Sequence, residues 1–139
     1  MKILAAIDNS DFAKHVLDKA IDLARTENAK LSVMTVVNFS PYFMGAGEMP
    51  PSVVDSVHAN AKKLMKQAEQ QAKDKGVTVD TMVRESYSPA AAIVEDAEKT
   101  NVDMIVVGHK GVSAIERFLV GSTAAKVVSH APCSVLVVR

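Results

Sequence analysis

Hydrophobic and polar residues follow two alternating periodicities along this chain, and each change of period marks a new element. Short apolar runs typical of strands occupy residues 2–7, 31–37, 77–83, 102–107 and 134–138. Between them, apolar residues recur at helical spacing over residues 13–24 and 54–72. Two more helices are predicted, one opening at Ser88-Pro89 and one covering Ser122–His130.

The succession of strand and helix predicts βαβ units. The fold class is therefore α/β, with a mainly parallel five-stranded sheet and helices on both faces. The uninterrupted runs MIVV and VLVV are typical of strands buried on both sides. With 139 residues and no linker, repeat or low-complexity tract, the chain is expected to form one domain, residues 1–139. The order of the strands does not follow from these patterns.

Residues at the predicted element boundaries carry recognisable signals. Asn9 or Ser10 is placed to cap the first helix, Ser88 to cap the third, and Gly76 to end the second. Residues 38–51 combine Pro, Gly and aromatic residues without any period. They are expected to form a long loop, a type of segment that is often functional or mobile.

The charge balance narrows the choice of partners. Sixteen basic residues match sixteen acidic ones, which argues against nucleic acid or an anionic membrane as the main partner. Cys133 is the single cysteine, so no internal disulfide forms and an intracellular protein is expected. No apolar run has the length of a membrane span or the features of a secretory signal, so the predicted location is cytoplasmic.

The segment GHKGVSAIERFLVGST, residues 108–123, holds three glycines directly after the fourth predicted strand. Gly108 and Gly111 permit φ values that other residues resist, so their N–H groups could converge on an anion. Gly121 precedes Ser122 and Thr123 where the last helix begins, and its free N–H groups and positive dipole end favour phosphate. Glycines after strands are also common in plain turns, and this alternative stays open for an isolated G-x2-G.

Other polar residues beside this segment have two interpretations each. Asp8 follows the first strand and either contacts a ligand or caps a helix. His109 either acts as an acid or phosphate contact, or shapes the loop and meets ribose through its backbone. Lys110 either screens phosphate charge or is simply solvated. If strands one and four are neighbours, Asp8 and the glycine segment face one crevice at the carboxyl ends of the strands.

The chain resembles the universal stress protein family, and specifically its nucleotide-binding branch. The resemblance covers the whole chain and rests on the opening ILAAIDNS, the G-x2-G-x9-G-S motif and the ending HAPCSVLVVR. It implies a flavodoxin-like, Rossmann-like sheet of strand order 3-2-1-4-5. It also implies ATP in the crevice and a homodimer formed along the last strand, Ser134–Val138.

The resemblance also assigns roles to residues by position. Asp8 would meet the ribose or the metal–phosphate end of the nucleotide, and the main chain of Val36 would contact adenine. Ala6 stands where the family frequently has proline. The alanine in place of proline leaves the local backbone looser. The remaining contacts would come from the ribose- and phosphate-binding residues Gly108, His109, Lys110, Gly111, Val112 and Ser113, and from Gly121, Ser122 and Thr123 at the phosphate tail.

The main functional hypothesis is a regulatory module that binds ATP, or ADP or AMP, with Mg²⁺ or Mn²⁺. The alternative is a slow ATPase that uses the same site. The chain has no G-x-x-x-x-G-K-[ST] motif, so a P-loop is excluded. Two further classes fail on the positions of their motifs: a phospho-acceptor receiver domain, which needs an acceptor Asp after strand three, and a dinucleotide-binding Rossmann domain.

Overall fold

The computed structural model describes residues 1–38, 50–110 and 120–139. Five strands and four helices alternate along these residues, as the hydrophobic pattern predicts. The strands are β1 (Lys2–Ala6), β2 (Lys30–Asn38), β3 (Val79–Ser86), β4 (Met104–Gly108) and β5 (Ser134–Val138). The helices are α1 (Ala13–Glu27), α2 (Pro51–Asp74), α3 (Pro89–Thr100) and α4 (Ser122–His130).

All five strands pair in parallel in the order β3-β2-β1-β4-β5. This confirms the fold class and the strand order that the family resemblance implies. Ala5 in the central strand β1 is paired with Val33 of β2 on one side and Val106 of β4 on the other. The chain winds outward from β1 to β3 and then crosses to β4, so the winding direction reverses between β1 and β4.

Each face of the sheet carries its own hydrophobic core. Successive side chains of a strand point to opposite faces, so Ile3 and Ala5 enter one core while Leu4 enters the other. The first core is closed by α1 and by Met65, Ala68 and Ala72 of α2. The second core is closed by α3 and α4. Burial on both faces explains why the apolar runs of the central strands are continuous.

The helix ends confirm two of the three predicted signals. The Ser88 hydroxyl caps α3 by accepting a hydrogen bond from the N–H of Ala91 at 3.3 Å. Gly76 adopts φ +76° just beyond the end of α2, a conformation that glycine tolerates best. The predicted cap of α1 by Asn9 or Ser10 is wrong, because α1 begins later, with Phe12 at its N-cap and no side-chain cap.

Both predicted ends of β3 move for reasons of hydrogen bonding, and β4 covers Met104–Gly108 instead of the predicted 102–107. The N–H of Val77 bonds the carbonyl oxygen of Ala72 at 2.9 Å, so this residue closes α2 and β3 begins only at Val79. At its other end β3 continues to Ser86, which is paired with Asn38 of the longer strand β2. Residues 39–49 of the predicted loop lie outside the described residues, and α2 begins at Pro51. None of the helices within the described residues is long and apolar enough to cross a membrane.

Candidate functional site

The ends of β1 and β4 lie side by side, at the position where a ligand crevice is expected in an open α/β sheet. Ala6 is the last residue of β1, Asp8 follows two residues later, and Gly108 is the last residue of β4. β1 and β4 are adjacent and parallel, so their carboxyl ends lie at the same edge of the sheet. The Asp8 turn and the start of the glycine segment therefore lie at the edge of the sheet where the winding direction reverses, as predicted for neighbouring strands one and four.

The carboxylate of Asp8 is half-buried and shapes the turn that leads out of β1. Its Oδ1 accepts a hydrogen bond from the N–H of Ser10 at 2.9 Å. This turn lies ahead of α1, whose N-cap is Phe12, so Asp8 does not cap the helix. An ionised carboxylate has about four acceptor positions, so the bond from Ser10 leaves Asp8 able to accept more donors or a cation.

Gly108 is required for close packing rather than for an unusual backbone angle. Among the described glycines only Gly76 has a positive φ, so the predicted φ argument is wrong for Gly108. A Cβ at this position would lie 3.0 Å from Cγ2 of Val16 and 3.2 Å from Cδ1 of Phe12. The missing side chain lets the end of β4 lie against the first turn of α1.

His109 connects the exit of β4 to two other elements. Its main-chain N–H donates to the carbonyl oxygen of Val138 at 2.8 Å, and its ring Nδ1 lies 3.1 Å from the same oxygen. A carbonyl oxygen only accepts, so Nδ1 carries the hydrogen in this contact. The carbonyl oxygen of His109 in turn accepts from the N–H of Gly121 at 2.7 Å. These bonds support the interpretation of His109 as a residue that shapes the loop.

The first turn of α4 is the second half of the predicted phosphate site. Gly121 is the N-cap, and no side chain caps this helix within the described residues. The Gly121 N–H is already used by His109, so the available donors are the N–H groups of the first turn and the hydroxyls of Ser122 and Thr123. Such uncapped amides, with the positive end of the helix dipole, attract anions.

Val36 presents main-chain groups beyond the end of β1. The N–H of Ile7 still bonds the carbonyl oxygen of Met34 at 2.9 Å, but β1 ends at Ala6. Along a strand, the N–H and carbonyl groups of every second residue face the same neighbouring strand. The main-chain groups of Val36 therefore point to the same side of β2 as those of Met34, the side of β1. They therefore face the edge of the crevice, where a planar group with its own donor and acceptor can pair with them.

Phe12 is a site component that the sequence pattern did not single out. Its ring centroid lies 5.0 Å from the ring of His109, in an edge-to-face arrangement at 86°, and 5.1 Å from that of His15. The Nζ of Lys110 lies over the same ring, 5.2 Å from the centroid. The sequence signal was faint: one aromatic residue at the start of a helix, in a chain with few aromatic residues.

Comparison with known proteins agrees with this architecture. The model of the universal stress protein family matches residues 1–139. The universal stress protein YxiE of Bacillus subtilis is 33% identical over 146 residues, covering 99% of this chain and 98% of that protein. The chain belongs to the universal stress protein family.

Solved structures of universal stress proteins show the same fold. UspA from Lactobacillus plantarum superposes with a TM-score of 0.85 at 29% identity, covering 100% of this chain and 97% of that one. A universal stress protein described as a complex with cAMP superposes with a TM-score of 0.76 at 27% identity, covering 100% and 97% of the two chains. Members of this family with the same fold therefore include one with a bound adenine nucleotide.

In this universal stress protein, nine of the twelve predicted site residues are described. Ala6, Asp8 and the segment from Gly108 to Lys110 lie at the crevice, and Gly121 is hydrogen-bonded to that segment through His109. Val36 lies on the neighbouring strand β2, and Ser122 and Thr123 lie in the first turn of α4. The other three, Gly111, Val112 and Ser113, lie outside the described residues.

A polar network beside the crevice joins α1 to α2 along a cleft of about 690 Å³. Nε2 of Gln71 donates to Oδ1 of Asp18 at 2.7 Å, and Nζ of Lys75 lies 3.3 Å from the same oxygen and 3.1 Å from Oδ1 of Asp22. Burial acts to raise the pKa of Asp18, but the Gln71 hydrogen bond and the Lys75 ammonium outweigh it and lower that pKa. The hydrogen bond to Asp22, opposed by desolvation and assisted by Asp18, raises the pKa of Lys75.

Proposed function

We propose that this universal stress protein binds an adenine nucleotide in the crevice between β1 and β4 and acts as a nucleotide-dependent regulatory module. The observation that carries the proposal is the 2.7 Å hydrogen bond from the N–H of Gly121 to the carbonyl oxygen of His109. This bond brings the exit of β4 and the uncapped start of α4 together, as one phosphate tail would need. The cAMP complex of a family member with 27% identity supports the same ligand class.

Adenine would pair with the main chain of Val36. The N–H and carbonyl groups beyond the end of β1 supply one donor and one acceptor, which matches the edge of an adenine ring. The neighbouring side chain of Thr35 is buried in the sheet, so recognition would come from the backbone. Recognition by main-chain groups would be similar for ATP, ADP and AMP.

The phosphates would lie at the start of α4. Amides of the first helical turn and the hydroxyls of Ser122 and Thr123 donate to phosphate oxygens, and the helix dipole adds a favourable field. Gly108 would contribute to this site through its close packing against Phe12 and Val16, since its φ is not positive.

A divalent cation would enter with the nucleotide. Mg²⁺ is usually held by one or two carboxylates together with phosphate oxygens and water. Asp8 supplies one half-buried carboxylate at the crevice and fits this role. Within the described residues, no group of three His, Cys, Asp or Glu side chains could hold a metal without the phosphates.

Regulation requires no chemical step, because a ligand shifts a population by binding two states unequally. The surface that a second copy of the chain would bind is the edge strand β5, where the apolar side chain of Leu136 is 39% exposed. An exposed apolar edge favours pairing with another strand. We therefore propose a homodimer through Ser134–Val138, with a two-fold axis relating the two copies of β5.

Calorimetric titration with ATP, AMP and adenosine, with and without Mg²⁺ or Mn²⁺, tests the proposal, together with mass spectrometry of nucleotide released from the purified protein. The informative variant is Gly121→Val. Gly121 has φ −57° and ψ 154°, which valine adopts without strain, so the substitution adds volume at the phosphate site. Ala131→Val is the matched control, since Ala131 has φ −62° and ψ 140° at the other end of the same helix.

We expect the unaltered protein and Ala131→Val to bind nucleotide and Gly121→Val to bind much more weakly. Absence of heat with every adenine nucleotide would contradict the proposal. Turnover measured in the same samples separates the alternative: hydrolysis that depends on Asp8 would identify a slow ATPase rather than a binding module.

A further inference from the structure

Phe12 lies at the centre of a cluster formed by residues of two segments, the start of α1 and the exit of β4. Its ring contacts the rings of His15 in α1 and of His109 at the exit of β4, with centroid distances of 5.1 and 5.0 Å. Its Cδ1 also lies 3.2 Å from the position that a Cβ of Gly108 would take. The ring is therefore wedged between the first turn of α1 and the end of β4.

The ammonium group of Lys110 lies over this ring. The distance of 5.2 Å from Nζ to the ring centroid is within the range of a cation–π contact. A lysine side chain otherwise samples many rotamers, and ordering it on binding a ligand costs conformational entropy. A contact that already restricts the side chain reduces this cost and so improves the binding of an anion.

The location of this cation matters because Lys110 directly follows His109. The carbonyl oxygen of His109 accepts from the N–H of Gly121 at 2.7 Å, which brings this stretch of chain next to the start of α4. A lysine held at this point adds a positive charge to a site whose other donors are neutral amides and hydroxyls.

We propose that Phe12 is a positioning residue that holds the Lys110 ammonium ready for the phosphate tail of the nucleotide. This inference rests on the proposed nucleotide function and deepens it. Phe12 would act on the bound nucleotide through the Lys110 ammonium. The ring therefore discriminates between ligands by their phosphate charge.

A double-mutant cycle with two ligands tests the inference. The variants are Phe12→Leu, which keeps an apolar side chain against Val16 and Gly108, Lys110→Met, and the two combined. Affinities for ATP and for adenosine are measured by calorimetry at low and at high salt. Lys66→Met is the matched control, because Lys66 is an exposed lysine on α2.

We expect Phe12→Leu to weaken ATP binding about two- to fivefold, the range of an exposed cation–π contact, and to leave adenosine binding unchanged. In the Lys110→Met background the same substitution should have no further effect on ATP. Lys110→Met alone should weaken ATP selectively and reduce the salt dependence of its affinity, whereas Lys66→Met should do neither.

Three results would overturn the inference while leaving nucleotide binding intact. In the first, Phe12→Leu weakens the affinities for ATP and for adenosine equally. In the second, Phe12→Leu weakens ATP binding as much in the Lys110→Met background as in the unaltered protein. In the third, Lys110→Met leaves the ATP affinity unchanged. The last variant changes an exposed side chain and tests the inference even if Phe12→Leu does not fold. Failure of the unaltered protein to bind any nucleotide would instead overturn the proposed function, and the inference with it.

Discussion

Nε of Arg84 lies 2.9 Å from Oδ2 of Asp96, and this ion pair joins the edge strand β3 to helix α3. The Asp96 side chain is only 10% exposed, whereas that of Arg84 is 47% exposed. The same carboxylate oxygen has no hydrogen-bond partner within the described residues, so the two atoms are close without being aligned for a hydrogen bond. Arg84 therefore compensates a buried charge mainly by proximity.

Removal of Arg84 should destabilise the protein more than removal of a surface lysine. Arg84→Met leaves the Asp96 carboxylate buried without a counter-charge, and we expect the free energy of unfolding to fall by about 1–3 kcal/mol. Urea denaturation measures the change. The control is Lys30→Met, which breaks a 3.6 Å pair with Asp80 between side chains that are 68% and 65% exposed. Such a pair contributes about 0–1 kcal/mol.

The combination with Asp96→Leu separates charge burial from packing. If an uncompensated carboxylate causes the loss, Arg84→Met should cost little once Asp96 is replaced. Additive effects of the two substitutions would show that Arg84 contributes through packing of its aliphatic stem instead.

Gly108→Ala should destabilise the protein by crowding. The new methyl group would lie 3.0 Å from Cγ2 of Val16 and 3.2 Å from the carbonyl oxygen of Lys110, and overpacking of this kind costs about 1–3 kcal/mol. In the Val16→Ala background the penalty should shrink, because the closest obstacle is gone. Thermal denaturation measures both losses of stability. If Gly108→Ala destabilises the Val16→Ala variant as much as the unaltered protein, the cause lies in the backbone and not in the contact with Val16.

Gly76→Ala is the contrasting case. Apart from its two chain neighbours, no atom of the described residues lies within 4 Å of a Cβ at this position, but φ is +76°. The cost here is backbone strain of about 1 kcal/mol, and no neighbouring substitution should relieve it.

The elements that could be predicted from the sequence are those whose signals are local. The bounds Ser122–His130 of α4 and the Ser88 cap of α3 depend on neighbouring residues and are confirmed. The fold class follows from the order of the periodicities alone. The strand order needed the family resemblance, because no local pattern tells which strands are neighbours.

The parts of the site that the sequence did not predict depend on contacts between distant segments. Gly108 was interpreted as a φ requirement, yet its reason is the approach of Val16 and Phe12, which are about ninety residues away in sequence. The end of β3 at Ser86 is set by the length of β2, which runs to Asn38. The sequence signal of Phe12 was faint because its contacts arise only when the exit of β4 packs against α1.

Acid should weaken the link between α1 and α2. The folded pKa of Asp18 is lowered from 3.8, so its contribution to stability is fully present above this value and is lost as the pH falls through the folded pKa. Asp18→Asn should therefore be less stable than the unaltered protein at neutral pH, and the difference should shrink below pH 3.8. Urea denaturation of both proteins at neutral pH and below pH 3.8 measures the difference in stability and its decrease in acid.

Gln71→Leu provides the matched comparison for this acid dependence. It removes the 2.7 Å hydrogen bond to Asp18 but leaves the carboxylate and Lys75 in place, so the acid dependence should be reduced only in part. A stability difference between Asp18→Asn and the unaltered protein that is the same at both pH values would contradict the assigned role of Asp18.

The edge strand β5 gives the prediction with the largest structural consequence. Leu136 points from this strand with 39% of its surface exposed, in the segment proposed to pair across a two-fold axis. Leu136→Lys places a charge in that segment and should convert a dimer into a monomer, because like charges would meet across the axis. Tyr87→Lys is the control. Tyr87 follows β3 at the opposite edge of the sheet and is 67% exposed, so a lysine there should leave the dimer unchanged. Sedimentation velocity at micromolar concentration distinguishes the two states. A monomeric unaltered protein, or a dimer that survives Leu136→Lys but not Tyr87→Lys, would place the contact surface elsewhere.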